Sequence, residues 1–323
     1  MTAWNSLDTL GALALAPMLL LCLTQWCRYD RSRLVAQLQA LTPYVLVLAV
    51  PIAVIGALDD RLWLTAGAMV PLATLLALAL PIVVRMDTPP ESPTALVVGC
   101  ANLLGGNSKP EEAAAALAGH DADVWVLVEV TPLLADAIHR AMGKPLLHRA
   151  EMLDPGTNGI AIWSRWPIVS GGVVDAPGRR TVDVVVEQRE VSVRVIAVHP
   201  RPPTQVPHLW RDELAWLGDT AEGGAHPTVM VGDFNGARWH PSFRRLLHRG
   251  WVDAHEAAGH GWGASWPADR GWLPPPFVRI DHALVERGRA QTVRRTLATA
   301  KVTDFRVPGS DHTGFVAEFT VSQ

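Results

Sequence analysis

Within the first 85 residues three apolar stretches follow one another at 7–27, 41–58 and 62–84, with hardly a charge inside them. A helix needs about 20 apolar residues to cross a hydrocarbon core, so the chain is predicted to begin with three transmembrane helices. Pro17, Pro51 and Pro71 fall inside these stretches. Bilayer helices tolerate proline because neighbouring groups satisfy the backbone it frees. A secretory signal followed by a buried helical core is the competing reading. It is disfavoured because no basic segment precedes the first stretch and two further stretches follow it. The expected organisation is a membrane anchor at 1–85, a stiff proline-rich linker at 86–93 with Pro89, Pro90 and Pro93, and a globular domain at 94–323.

Charge bears on sidedness and on partners. Arg28, Arg31 and Arg33 occupy the first loop, and Asp59, Asp60 and Arg61 the second. The positive-inside rule puts the first loop in the cytoplasm, and with three spans the globular domain as well. The difference is two arginines, too few to fix the side of a multi-pass membrane protein. Residues 94–323 hold 23 Lys+Arg against 25 Asp+Glu, so no general basic field is present to hold nucleic acid. Arg244, Arg245 and Arg249 would neutralise a few phosphates, although a solvated helix face is the plainer reading of that stripe. Cys22, Cys27 and Cys100 are too few for a disulfide framework, and nothing points to an obligate protein partner.

In the globular part, apolar runs bounded by turns predict strands at 95–100, 124–128, 159–163, 181–186, 191–198, 228–231, 279–285 and 315–320. Helices are expected at 133–142, 206–220 and 242–249, and one starting near Pro110 where Ser108 and Glu111 have capping-box spacing. Strands mixed with helices, some joined by hairpins and some by crossovers, fit two packed sheets with helices outside.

Polar residues recur at the ends of these strands. Asn102, Glu129, His199, Asp233 with Asn235, Asp281 with His282, and Asp311 with His312 make six stations. One acidic residue at a strand end is ordinarily a turn former or a helix cap. Six stations supplying carboxylates, amides and imidazoles point to a convergent hydrolytic site.

The segments Gly232-Asp233-Phe234-Asn235, Arg279-Ile280-Asp281-His282 and Gly309-Ser310-Asp311-His312 stand in an order that resembles the endonuclease/exonuclease/phosphatase family. Cys100-Ala101-Asn102-Leu103, Leu127-Val128-Glu129 and the strand from Gly159 to Arg165 are similar to its earlier stations, so the resemblance covers 94–323. It implies an α/β fold, a four-layer α/β/β/α sandwich of the DNase I-like kind, preceded here by three transmembrane helices. It also implies a Mg²⁺-dependent phosphoric ester hydrolase, with Mn²⁺ as a substitute. Glu129 would be the principal metal ligand, with Asn102 and Asp311 completing or bracing that set. Hard Mg²⁺ suits such a site, since it takes one or two carboxylates together with water and substrate phosphate. Asp233 would orient or deprotonate the attacking water, and Asn235 would donate to the phosphoryl oxygen. His312 would contact the phosphate or assist water activation, its ring held by Asp281, and His199 would stand near the leaving group, where an imidazolium protonates or stabilises the departing oxygen. His282 is read as structural.

The chain departs from the abasic-site branch of that family, which has an acidic residue two positions after the first asparagine and a tyrosine at the His199 station. Here those positions are Leu104 and His199, which disfavours abasic-site repair. Trp262, Trp266, Trp272 and Phe277 form an aromatic loop before the Asp281 strand. It suits stacking on single-stranded bases, contact with lipid headgroups, or plain covering of the core. The anchor and the near-neutral domain favour a phospholipid headgroup over nucleic acid as the phosphodiester or phosphomonoester substrate. A membrane-bound scaffold that keeps the fold without turnover is the alternative from another class, and the intact stations argue against it.

Overall fold

Helices form at the N-terminus where apolar side chains run without interruption. The computed structural model describes residues 6–83, 94–143, 146–188, 191–221, 224–269, 271, 275–286 and 296–322. Helices α1 (Ser6–Trp26) and α5 (Leu62–Val83) are each long and apolar enough to cross a membrane. The middle stretch differs from expectation. It is divided into α3 (Thr42–Val47) and α4 (Ala49–Leu58), preceded by a short helix α2 (Arg33–Ala40) that the hydropathy pattern did not predict. The run Thr42–Leu58 meets α2 at a bend of 64°. At about 1.5 Å per residue it falls short of the ~30 Å hydrocarbon core. Pro43 at the start of α3 accounts for the break, since its ring would collide with the carbonyl four residues earlier, in α2. Two apolar helices thus have spanning length, and the bent pair makes a third if it counts as one span. The expected linker at 86–93 lies outside the described residues.

The globular part continues with β1 (Thr94–Asn102), α6 (Pro110–Ala118), β2 (Val124–Val128), α7 (Pro132–Met142), β3 (His148–Met152), β4 (Ile160–Ser164), β5 (Ile168–Ala176), β6 (Arg179–Gln188) and β7 (Val191–Val198). It closes with α8 (Pro207–Ala221), β8 (Thr228–Asp233), α9 (Pro241–His248), β9 (Trp251–Asp253), α10 (Ala254–Ala257), β10 (Asp281–Glu286), β11 (Thr296–Arg306) and β12 (Thr313–Ser322). One sheet has the order β11-β12-β1-β2-β4-β3 and the other β5-β6-β7-β8-β10-β9. Their inner faces meet in a core that includes Val98, Val126, Ile162, Val184, Val195, Val231 and Phe315. Leu117 and Ile138 of α6 and α7 pack on the outer face of the first sheet, and Trp210 and Phe243 of α8 and α9 on that of the second. Valine and isoleucine suit the sheets because a branched side chain packs well on a pleated surface.

Four strands were not expected from sequence: β3, β5, β9 and β11. Each lacks a sustained apolar run, β5 because Gly171 and Gly172 interrupt it and β11 because threonine, lysine and aspartate alternate along it. The predicted capping box is also absent. Helix α6 starts at Pro110 as expected, but its N-cap is Lys109 and not Ser108, with no side-chain cap, while Asn107 Oδ1 accepts from the Lys109 amide at 2.7 Å.

The helical region and the sandwich are joined by polar contacts as well as apolar ones. Asp30 Oδ2 accepts the Ser242 amide at 2.8 Å and so caps the first turn of α9 from 212 residues away. Gln25 Nε2 donates to the Trp239 carbonyl at 3.0 Å, and Arg244 donates to Gln25 Oε1 at 2.8 Å. Ala79 and Ile82 of α5 pack with Ala237, Trp239 and Val278 of the sandwich. Tyr44 of α3 donates to the Phe277 carbonyl at 2.7 Å. The aromatic loop therefore faces the helices, with Trp262 exposed and 5.8 Å from the Trp239 ring, while Trp272 lies outside the described residues.

Candidate active site

Strand direction gathers the polar stations on one edge. β1 runs parallel to β2, and β7 parallel to β8, so Asn102, Glu129, His199 and Asp233 emerge at equivalent ends. β10 and β12 run antiparallel to these strands, and their starts bring Asp281 opposite Asp233 and His312 beside Asn102. Close approach of β8 to β7 requires Gly232, which has φ 151°, because a Cβ there would lie 2.0 Å from the Val198 carbonyl oxygen. Leu104, Glu129 and Asn235 also adopt positive φ without being glycine, a strain that tends to collect at functional turns.

Asn102 is the hub of the cluster. Its Nδ2 donates to Asp233 Oδ2 at 3.1 Å and Glu129 Oε1 at 3.3 Å, and lies 3.4 Å from His312 Nε2. Its Oδ1 accepts the Leu104 amide, so in this arrangement it braces two carboxylates through its amide nitrogen. Glu129 Oε2 accepts the Gly105 amide at 3.0 Å. His312 Nδ1 lies 2.8 Å from Asp281 Oδ2, and its Nε2 is 3.9 Å from both Asp233 and Asp311. Asp233 Oδ1 accepts the Asn235 amide at 2.7 Å, and the Asn235 side chain donates to the Pro200 carbonyl. His199 Nε2 stands 3.8 Å from Glu129 Oε1 and 4.0 Å from Asp233 Oδ2. Asp311 Oδ2 accepts from the Trp266 indole at 3.1 Å. All eight residues expected from sequence thus occupy one site or its immediate support. Glu129, His199, Asp233, Asn235, Asp311 and His312 line a cleft of about 500 Å³, with Asn102 and Asp281 buried just behind.

Burial and like charges set the protonation states. Burial and the neighbouring Asp281 raise Asp233 to about 7. Burial opposes the charged form of His312, but Asp281, Asp233 and Asp311 outweigh it and raise the ring to about 10. Burial, then Arg179 and His312, push His199 well below its ordinary value. That shift favours the neutral imidazole at this station, where the resemblance implied an imidazolium.

The closest set of potential ligand atoms among the described residues is Asp233, Asp281 and His312, within 4.8 Å of one another. Protonated His312 offers no lone pair, so this set reads better as a charge-paired triad than as a metal cage. Glu129 and Asp311 offer hard oxygens at the cleft wall, and Asp281 Oδ1 is buried without a hydrogen-bond partner. Such a concentration of carboxylates fits a divalent cation.

Sequence reasoning missed two contributors. Arg179 lines the cleft, donates to the His199 carbonyl, and has Glu213 4.0 Å away. It opens β6, whereas the stations were sought after strands, and its Pro177-Gly178 turn was the available signal. The second is α2. Ala36, Gln37 and Ala40 form part of the cleft wall. His240 accepts the Ala237 amide through Nδ1 and meets the Ala36 carbonyl through Nε2 at 2.9 Å, which fixes the Nε2-protonated tautomer. His282 is buried away from the cleft, between Asp253 and the Gly236 carbonyl, and steadies the turn that carries Asn235.

The family model described as Endonuclease/Exonuclease/phosphatase family matches residues 99–312. Comparison with curated proteins finds no match. Among solved structures, D. rerio TDP2 complexed with single strand DNA product is similar with a TM-score of 0.60 at 15% identity, covering 70% of this chain and 98% of that one. The 3′ phosphatase NExo from Neisseria, bound to a product DNA hairpin, gives 0.53 at 22% identity, covering 70% and 100%. A beta toxin from Staphylococcus aureus with bound magnesium ions gives 0.52 at 15% identity, covering 70% and 99%. At these identities the likeness establishes the fold, a DNase I-like α/β/β/α sandwich.

Proposed function

The chain belongs to the endonuclease/exonuclease/phosphatase family, whose members are metal-dependent phosphoesterases, and from that premise we propose a membrane-anchored hydrolase acting on phosphoesters carried by lipid. The observation that carries the lipid reading is α2, a helix of the N-terminal region that supplies Ala36, Gln37 and Ala40 to the catalytic cleft. α2 follows directly on an apolar helix of membrane-spanning length, so the cleft would open at the level of the headgroups. The DNA-bound neighbours favour nucleic acid as the second reading.

Glu129 would hold a Mg²⁺ or Mn²⁺ ion, with Asp311 completing and Asn102 bracing the set. When bound, the cation would polarise a phosphoryl oxygen and offset the charge that develops there. Asp233, raised towards neutrality, is placed to take a proton from water held between it and the phosphorus. Protonated His312, oriented by Asp281 through Nδ1, donates from Nε2 to a phosphoryl oxygen. Asn235 donates from the same turn as Asp233. Neutral His199 contributes a hydrogen bond near the departing oxygen, and Arg179 adds positive charge behind it.

Full-length protein in nanodiscs should release phosphate or a phosphorylated headgroup in the presence of Mg²⁺ or Mn²⁺, and lose that activity with EDTA. Parallel arms with plasmid DNA and single-stranded oligonucleotides separate the two substrates. Cleaved DNA beside intact lipid would overturn the lipid reading alone, whereas no metal-dependent hydrolysis of any ester would overturn the enzymatic one.

A further inference from the structure

Where α1 ends, a cavity of about 430 Å³ opens between that helix and α9, lined by Gln25, Trp26, Arg28, Arg244, Arg245 and His248 among others. It shares no lining residue with the catalytic cleft. We propose that this cavity binds the phosphate of an anionic phospholipid at the seam between anchor and sandwich.

Three arginines and a histidine face the space, and no carboxylate lines it. Arg244 spends its hydrogen bonds on neutral acceptors, the carbonyls of Arg238 and Trp239 at 3.1 and 2.9 Å and Gln25 Oε1 at 2.8 Å. Neither Arg28 nor Arg245 has a carboxylate partner among the described residues. The nearby acid, Asp30, is already occupied by the Ser242 amide and by Arg211 at 3.5 Å. Burial, then Arg238, lowers Arg244 to about 10, with Asp30 opposing and Arg28 adding to the effect. Arg28 itself has φ 52° just past the end of α1, a conformation that favours glycine or asparagine. A long cation held there at a conformational cost suggests use of its charge.

Phosphate-type anions match this donor set, because guanidinium groups present paired N–H donors to phosphate oxygens. The source is assigned from position. The cavity begins at the last turn of an apolar helix, and Trp26 on its rim is 60% exposed, as tryptophan is where helices leave a bilayer. Anionic lipid held there would fasten α9, and through His240 and α2 the cleft wall, to the membrane surface.

Full-length protein in detergent can be presented with phosphatidylglycerol or with phosphatidylcholine of the same chains, and retained lipid counted by native mass spectrometry. Phosphatidylglycerol should be retained about tenfold better, and Arg28→Gln combined with Arg245→Gln should abolish that preference while the far-ultraviolet spectrum stays unchanged. Arg28→Lys with Arg245→Lys should keep most of it. Equal retention of the two lipids, or a preference untouched by the glutamine pair, overturns the proposal. So does displacement of the lipid by micromolar inorganic phosphate or by a short oligonucleotide, which would mark a site for soluble anions or for nucleic acid. Because these residues lie outside the cleft, metal-dependent hydrolysis of a soluble ester should persist in the variants, so loss of lipid retention is distinguishable from failure of the catalytic reading.

Discussion

The helical region and the sandwich use the same apolar residues in opposite ways. Leu10, Leu13 and Leu20 of α1 are 64%, 68% and 63% exposed, while Val98, Val126 and Leu103 of the sandwich are wholly buried. Large exposed apolar side chains crowd α1, α4 and α5, a pattern compatible with membrane association. The sandwich hides its apolar atoms between two sheets and beneath the helices, and gathers the site's carboxylates and imidazoles at one edge. The difference teaches that the cleft is assembled where the two regions meet, with α2 from one and the strand ends from the other.

The largest effect should fall within the sandwich alone. Asp233→Asn is expected to lower the metal-dependent rate by about 10³-fold on soluble and lipid esters alike. A fall confined to lipid would break the comparison, since it would tie the chemistry to the anchor.

Burial gives the next contrast. Leu103→Ala, in the core, should cost about 2–5 kcal/mol, whereas Leu20→Ala should cost under about 0.5 kcal/mol in lipid nanodiscs. Thermal unfolding of the two variants compares them, and equal losses would mean that Leu20 faces protein in the folded chain.

At the seam, Asp30→Ala removes the cap from α9 and should destabilise its first turn by about 1–2 kcal/mol. Faster amide hydrogen exchange in α9, with a slower rate on vesicle lipid and an unchanged rate on a soluble ester, would sharpen the division of labour. Unchanged exchange would show that the capping contact contributes nothing.

The smallest effect is pH-dependent and belongs to the sandwich. Burial raises Glu213 from 4.5 to about 7, so the folded chain binds a proton that the unfolded chain has released. A raised folded value gives stability that is fully present below pH 4.5 and lost as pH rises towards 7. Glu213→Gln should therefore match the parent protein at low pH and unfold at a higher temperature above neutrality. A gap of the opposite sign, or one that is constant with pH, would show that Glu213 is charged throughout.

The sequence made some of this legible and hid the rest for physical reasons. Long apolar runs and strand-end polar residues are local signals, so α1, α5 and the stations at Asn102, Glu129, His199 and Asp233 could be found from order alone. α2 is eight residues long with polar groups along it, too short for a hydropathy window to notice. Ser108 had the spacing of a cap, but with the Asn107 turn before it the N-cap falls on Lys109, one residue later. Arg244 read as part of a solvated stripe because nothing in its neighbourhood of sequence reveals that α1 lies against it; the structure places it half-buried on Gln25. The burial that pushes His199 below its ordinary value was not legible, since it depends on neighbours the chain supplies from far away.

The Asp30–Ser242 contact bears on how such a protein can be cut apart. A fragment beginning after the apolar helices would start α9 without its carboxylate and bare Ala237, Trp239 and Val278, which now rest on Ala79 and Ile82. Dissected at that seam, the sandwich would carry a raw hydrophobic wound in water beside its own catalytic mouth, so the boundary drawn by hydropathy is a poor place for the scissors.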